Sequence, residues 1–566
     1  MHIDLIPNRG SRPTVLLRES VREGKRVFQR TIANLTKLPP HAVLALQQAL
    51  KGQTLVPVEK AFTIERSLPH GQVRAILGMI RKLGLDALIA AKRCRERDLV
   101  VAMIAERLLH GCSKLACTRY WHTTTLAEEL GLEDADEDDL YTAMDWLLER
   151  QGRIERKLAA RHLREGGLVW YDVSSSYYTG RHCNLARYGH NRDETRDPII
   201  VYGVLTDDQG RPIATDVYPG NTGDPTTVPD QVEKLRSRFG LQRVVLVGDR
   251  GMLTDTQIST LRKYPQLGWI SALRSGAIKQ LLEVGDLTPS LFDRENLAEI
   301  HAAEFPGERL VACFNAILAE DRARTREELL AATEKKLRQL AATVARRTKT
   351  PLSAAAIGER VGRVINHYKV AKHFTRHIED GQFQWERNQE SIDAEAALDG
   401  IYVIRTSEPA ANLTAADTVR SYKSLAQVEH GFRCLKGLDI RIRPIRHRDD
   451  DRVRAHVFLC LLAYYVEWHM REALHGVLFD DEELSANRPT RDPVDQAQPS
   501  ASARRKKFER TTAEGWPVHS WKTLLADLAT LCRNRCRIPA DKTGATFTQD
   551  TQPTDFQAHV FKCLGV

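Results

Sequence analysis

Between residues 166 and 274 the chain carries five strand-like runs whose order leaves few ways to fold. GLVWYDVSSSYY and PIIVYGVLTD are followed, across the turn DDQG, by PIATDVYPGN, so three strands stand in meander order. A helical stretch, VPDQVEKLRSRFG, leads to QRVVLVGDRGM, and GWISALRS follows. A meander, a helical crossover and a further strand make a mixed sheet.

Two acids mark that sheet. Asp172 lies inside an apolar run, Leu168 to Val173, where a carboxylate is costly unless it is paired, hydrogen-bonded or bound to a metal. Asp249 ends VVLVGD and is followed by Arg250 and Gly251, so its carboxylate is expected at a sheet end with a tight turn behind it. Taken singly, either is more often turn chemistry than a ligand. Glu429 is the third acid, in the helical run SYKSLAQVEHGFRCLKG, where Tyr422, Glu429 and Lys436 recur every seven residues and share a face. Alone, that helix would read as an ordinary solvated amphipathic one.

The strand order is that of an RNase H-like fold. The expected architecture is mixed α/β: an RNase H-like catalytic domain interrupted by an insertion subdomain, flanked by a helical N-terminal domain and a small C-terminal unit. At 566 residues the chain has room for three or four domains. Residues 1–40 read as a basic β hairpin unit around the Glu23-Gly24 turn, with Arg18, Arg22, Lys25 and Arg26 as candidate DNA contacts. A solvated edge sheet whose charges discourage aggregation is an equal alternative. Residues 70–165 are helical and expected to bind DNA, although EDADEDD beside TTLAEELGL makes a helix-turn-helix there weak.

Residues 166–290 and 401–475 are expected as two parts of the catalytic core. The insertion is placed at 291–400, because some 145 residues separate Arg274 from the Glu429 helix, too many for a loop. That stretch carries a basic helix, Arg326 to Arg347, expected to hold phosphates beside the active site, and strand-like pieces at ERLVACFNAI, GQFQWER and GIYVIRT. Residues 476–566 are expected to be a linker and C-terminal unit, with SANRPTRDPVDQAQPSASARRKKFER flexible.

A net charge of +9 favours a polyanionic partner. No apolar run approaches the roughly 20 residues of a membrane helix, and the start MHIDLIPNRG lacks a signal core, so a cytoplasmic, nucleoid-associated protein is expected. The ten cysteines show no CxxC spacing and are read as reduced thiols. Cys532 and Cys536, one helical turn apart, are expected as two buried thiols.

Here the chain resembles insertion-sequence DDE transposases of the IS-four superfamily, whose third acid sits in a Tyr-x2-Arg-x3-Glu-x6-Lys signature. Tyr422, Glu429 and Lys436 fit that spacing, while Leu425 stands where the signature has Arg. YDVSSSYYTG, CNLARYGHNRD, VLVGDRGM and IRPIRHRDDDRVRAHVFLCLLAYYV are similar to the family's pattern over about residues 80 to 475. REGKRVFQRTIANLTKLP resembles the start of a subgroup with a long helical N-terminal region.

The resemblance implies a polynucleotidyl transferase in which Asp172, Asp249 and Glu429 hold two Mg²⁺ or Mn²⁺ ions. It implies cleavage at terminal inverted repeats and transfer of the freed 3′-OH into target DNA, within a homodimeric DNA complex and without a covalent protein intermediate. Arg433, one turn beyond Glu429, is a candidate phosphate contact replacing the missing Arg, with an i,i+4 pair to Glu429 as the equal alternative. Two rival readings are an RNase H-like nuclease or resolvase, and a domesticated DNA-binding protein without catalysis.

Overall fold

Alternating apolar and polar residues in TVLLRESVRE and RVFQRTIAN, with Gly24 at a φ of +65° between them, make an antiparallel hairpin. Its strands are β2 (Thr14–Glu23) and β3 (Arg26–Asn34), and β1 (His2–Ile6) pairs along β2 with His2 opposite Arg18. The unit is therefore a three-stranded sheet, not a hairpin alone. The opening HIDLI is short and its strand character rests on β2 as template. Helix Pro40–Leu50 follows.

The computed structural model describes residues 1–53, 61–193, 195–264, 266–538 and 545–566. It comprises two units, Met1–Pro69 with Leu531–Gln552, and His70–Thr530 with Pro553–Val566. In the first, β4 (Thr63–Pro69) pairs with Cys532–Arg537, which pairs in turn with Thr546–Asp550. Cys532 and Cys536 thus lie on a strand rather than a helical turn, and only Cys536 is buried. All ten cysteines are free.

The second unit begins with helices between Gly71 and His162. The acidic stretch that weakened a helix-turn-helix reading has a structural use. Asp136 caps helix Glu137–Leu148 by accepting from the backbone N–H groups of Asp138 and Asp139, and Arg95 pairs with Asp134 and Asp139.

The meander follows as β5 (Leu168–Tyr177), β6 (Ile199–Thr206) and β7 (Pro212–Pro219), all antiparallel. A Cβ on Gly203 would stand 2.2 Å from the Tyr171 hydroxyl, so glycine is what lets that ring lie across β6. After a helical crossover, β8 (Val244–Val247) pairs parallel to β5, and β9 (Leu267–Ala272) pairs parallel to β8.

The chain then adds β10 (Leu297–Ile300), β11 (Arg309–Phe314), a hairpin of β12 (Phe374–Glu379) with β13 (Gln382–Arg387), and β14 (Ile401–Thr406). The resulting eight-stranded sheet has the order β10-β11-β14-β9-β8-β5-β6-β7. This corrects the reading of ERLVACFNAI as a piece of the insertion, because β11 joins the main sheet through β14, whose residues fall in the stretch expected as core, and β14 pairs with β9. Both are buried along nearly their whole length, which an isolated hairpin could not provide.

Between β11 and β14, helix Ala316–Ala345 packs Leu330, Leu337 and Val344 against Ile357, Val361 and Ile365 and against the β12–β13 hairpin. These residues make a hydrophobic cluster of their own. The stretch expected to be a flexible linker is largely exposed but is anchored at two points. Val494 is buried and its carbonyl accepts from Asn315 and Lys423, while buried Lys506 donates to the carbonyls of His475 and Asp480. Polar composition suggested a solvated chain, but these lysines and carbonyls satisfy one another. Among the described residues no helix is long and apolar enough to cross a membrane.

Candidate active site

The parallel register of β5 and β8 sets Trp170 opposite Val247. Asp172 and Asp249 each lie two residues further on, so both acids stand at one level, Asp172 within β5 and Asp249 just past the end of the adjacent β8. Asp172 is half-buried and its Oδ1 accepts from the N–H of Val173, at 2.7 Å. Burial pushes its pKa up to about 7, and the charge of Asp249 adds to the rise; the Val173 hydrogen bond and Arg192 oppose it. Asp249 is exposed, and its Oδ1 accepts from the N–H groups of Gly251 and Met252 at 3.0 and 2.7 Å. A Cβ at Gly251 would lie 3.3 Å from Asp249 Oδ2, a tight contact with the oxygen that remains open.

Trp170, Asp172 and Ser174 alternate along β5 and so share a face. On that face the Trp170 indole donates to the Ser421 carbonyl at 3.0 Å, and Tyr202, opposite Ser174, packs on Phe432 with ring centroids 5.9 Å apart. Helix Leu425–Lys436, which carries Glu429, is therefore held against the face that bears Asp172. Burial raises the phenol pKa of Tyr422 to about 12, and the charges of Asp249 and Glu429 both add to the rise.

The signature residues do not ride one continuous helix. Helix Ala415–Lys423 ends before Ser424, and a second begins at Leu425. The Ser424 hydroxyl donates to the Arg420 carbonyl at 2.8 Å, and its N–H is shared between the Arg420 and Ser421 carbonyls. Leu425 is buried, as an apolar helix start requires. Glu429 and Arg433 are both exposed, and no ion pair joins them among the described residues. Lys436 is half-buried and faces Asp193 at 3.6 Å, beside Arg443, which pairs with the same carboxylate. Burial lowers the Lys436 pKa and Asp193 counters that fall.

The three acids do not close on a single point. Among the described residues the only trio of metal-compatible side chains with ligand atoms all within 4.8 Å of one another is Cys434, Asp439 and Glu467. That trio already holds a cation, since Arg471 lies 2.7 Å from Glu467 and 3.0 Å from Asp439. Asp172 and Asp249 present the opposite condition: carboxylates at one level, one of them withdrawn from water and destabilised by the charge of the other. Such a donor set fits a hard cation, and two ions some 3.5 to 4 Å apart need a wider spread of ligands than one.

The sequence reading missed Arg192 and Asp224. They form an ion pair whose two charges both act on Asp172. Their short motifs, HNRD and NTGDPTT, offer no periodicity that would single them out.

The family described as transposase DDE domain matches residues 172–466, more than half of the chain. The chain belongs to the DDE transposase family. In this transposase the match opens on Asp172 and spans Asp249 and Glu429. The N-terminal domain of IS1634 family transposases matches residues 5–56, so the transposase is of the insertion-sequence kind. None of the curated proteins compared with it matches the transposase.

The basic residues read as DNA contacts differ in their surroundings. Arg18 is half-buried and pairs with Asp4 at 3.0 Å, whereas Arg22, Lys25 and Arg26 are exposed. In the basic helix expected to hold phosphates, Arg326 is bound bidentately by Asp399 and Arg338 pairs with Glu334. Those two charges are met within the protein, which weighs against that part of the expectation.

Proposed function

We propose that this DNA transposase cuts at the ends of its element and joins the freed 3′-OH to target DNA, using one centre formed by Asp172, Asp249 and Glu429. The observation that carries this reading is the common level of Asp172 and Asp249, with the Glu429 helix held on the same face through Trp170 and Phe432. The sheet order β7-β6-β5-β8-β9 supports an RNase H-like core. The separate hydrophobic cluster between β11 and β14 supports an insertion subdomain. We place the protein in the IS-four superfamily on the Tyr422, Glu429 and Lys436 spacing.

Asp172, Asp249 and Glu429 would hold two Mg²⁺ or Mn²⁺ ions, which supply Lewis-acid activation of water and stabilise the departing 3′ oxygen. Water attack on phosphorus breaks the bond to the 3′ oxygen, and the resulting 3′-OH attacks a target phosphodiester in the same manner. Tyr422, Arg433 and Lys436 then orient strand phosphates beside the acids, and Asp249 is held for its role by the Gly251 and Met252 N–H groups. Terminal inverted repeats and target DNA are the substrates, bridged in a homodimeric complex on the nucleoid. A nuclease or resolvase that cuts without joining is the second reading, favoured only by the shared acids; an inactive DNA-binding descendant is opposed by their joint presence.

The test is cleavage and joining of a duplex carrying the DNA that borders the coding region, in Mg²⁺. Asp172→Asn, Asp249→Asn and Glu429→Gln should each abolish both steps while retaining affinity for the duplex without metal. Calorimetric Mn²⁺ binding, abolished in the same variants, gives a readout independent of turnover. Wild-type cleavage in any of the three would remove that residue from the centre, and cutting without joining would favour the nuclease.

A further inference from the structure

A cavity of about 650 Å³ opens where the end of helix Arg95–Leu109 meets helix Glu137–Leu148 and residues 441–456. Seven of its wall residues are Lys or Arg, against a single acid, Asp449. Asp449 is committed elsewhere, capping helix Asp450–Leu474 by accepting from the Asp451 N–H at 2.8 Å. Arg443 and Arg452 meet carboxylates, those of Asp193 and Asp145. Among the described residues, Arg107, Lys114, Arg441, Arg446 and Arg448 meet none.

Two of these five are buried. Arg107 is 5% exposed and donates to the carbonyls of Arg441 and Cys112 at 3.2 and 3.1 Å, which are neutral partners. Lys114 is 3% exposed and its Nζ has no hydrogen-bond partner. An unpartnered buried ammonium is costly, and its pKa is pushed down to about 8 by burial, with Arg107 adding to the fall. The two histidines on the wall add no positive charge, because burial holds His447 down at about 3 and His456 well below its usual value.

Uncompensated cations lining a concave wall concentrate an anion there, and guanidinium groups match phosphate oxygens in pairs. The volume lies within the roughly 300 to 1,000 Å³ of sites that take small ligands. The cavity is also linked to the helix that carries Glu429: Arg443 lines it and shares Asp193 with Lys436 of that helix.

We propose that this cavity is a phosphate-binding site that takes backbone phosphates of the DNA on which the acid centre acts. The source of the phosphate rests on the DNA-cutting function proposed above; the chemistry of the site does not. Lys114 and Arg107 form its floor, and Arg446 and Arg448, both exposed, form its rim.

The test uses the full chain without divalent metal, so that no strand is cut. Affinity for the bordering duplex is measured across KCl concentrations, and inorganic pyrophosphate is titrated by calorimetry as the free-phosphate probe. Arg446→Ala with Arg448→Ala should reduce the slope of log affinity against log salt by roughly 1.8, the counterions of two neutralised phosphates. Pyrophosphate should bind the wild type, compete with the duplex, and bind at least tenfold more weakly to Lys114→Met. The surface double variant keeps the test valid if Lys114→Met does not fold. An unchanged slope together with unchanged pyrophosphate affinity overturns the site. Pyrophosphate binding abolished in the variants with an unchanged DNA slope supports the site and overturns DNA as its occupant. A wild type that binds pyrophosphate here but neither binds nor cuts the duplex sinks the proposed function separately.

Discussion

The indole N–H of Trp170 donates to the carbonyl of Ser421 at 3.0 Å, and this single bond ties the strand of Asp172 to the helical segment that leads to Glu429. Trp170 is fully buried, so the bond has no water to replace it. Ser421 directly precedes Tyr422, which places the bond one residue from the phenol on which the charges of Asp249 and Glu429 both act.

Trp170→Phe keeps most of the ring and leaves the Ser421 carbonyl without its donor. Stability should fall by about 1 to 3 kcal/mol, read from the denaturant midpoint. Cleavage should slow severalfold at temperatures where the variant is fully folded, because the Glu429 helix loses its positional constraint. Unchanged cleavage in folded Trp170→Phe would show that the helix is placed by Phe432 and Tyr202 alone.

Arg433 is exposed one helical turn beyond Glu429 and free of an ion pair with it. Arg433→Ala should therefore slow cleavage and joining by at least tenfold with a stability change within about 0.5 kcal/mol. Arg433→Lys should recover only part of the rate, since Lys lacks the bidentate fork. Activity within about twofold of wild type in Arg433→Ala would leave Tyr422 and Lys436 as the accessory contacts.

In the N-terminal sheet the basic residues should separate into two kinds. Replacing exposed Arg22, Lys25 and Arg26 together by Ala should flatten the salt dependence of duplex binding, by roughly 0.9 in slope for each phosphate no longer neutralised. Arg18→Ala should chiefly loosen the sheet, because Arg18 is engaged with Asp4 across β1 and β2. If the triple variant binds with the wild-type slope, the sheet is a structural edge.

Acid should destabilise the second unit through His162. Its Nδ1 accepts from Arg211 and its Nε2 meets the Tyr465 hydroxyl at 2.8 Å, an arrangement that keeps the ring neutral. Burial, then the charges of Arg211, His469 and Arg161, hold its pKa down at about 3. The unfolded chain takes up this proton near pH 6.5 and the folded chain does not, so stability is full above about 6.5 and declines as the pH falls toward 3. The melting temperature should drop between about pH 7.5 and about pH 5.5, and His162→Gln should make that drop smaller. An equal drop in the variant would assign the acid sensitivity to other groups.

Much of the local structure was legible in the sequence by itself. A carboxylate inside LVWYDV, an acid closing VVLVG and the meander around DDQG identify strands and the acids they carry, because apolar runs and turn residues act over a few neighbouring positions. The spacing of Tyr422, Glu429 and Lys436 was legible for the same reason, although the break at Ser424 was not, since a serine hydroxyl bonding back to a carbonyl leaves no mark on periodicity. Tertiary structure alone decided what lies far apart in the chain. It brought β11 and β14 into the main sheet, set Asp193 between Lys436 and Arg443, joined Arg192 to Asp224 near Asp172, and gathered cations from three segments around one cavity. Side-chain periodicity specifies which face of an element is buried; which partner buries it depends on packing and charge pairing realised only once the whole unit closes.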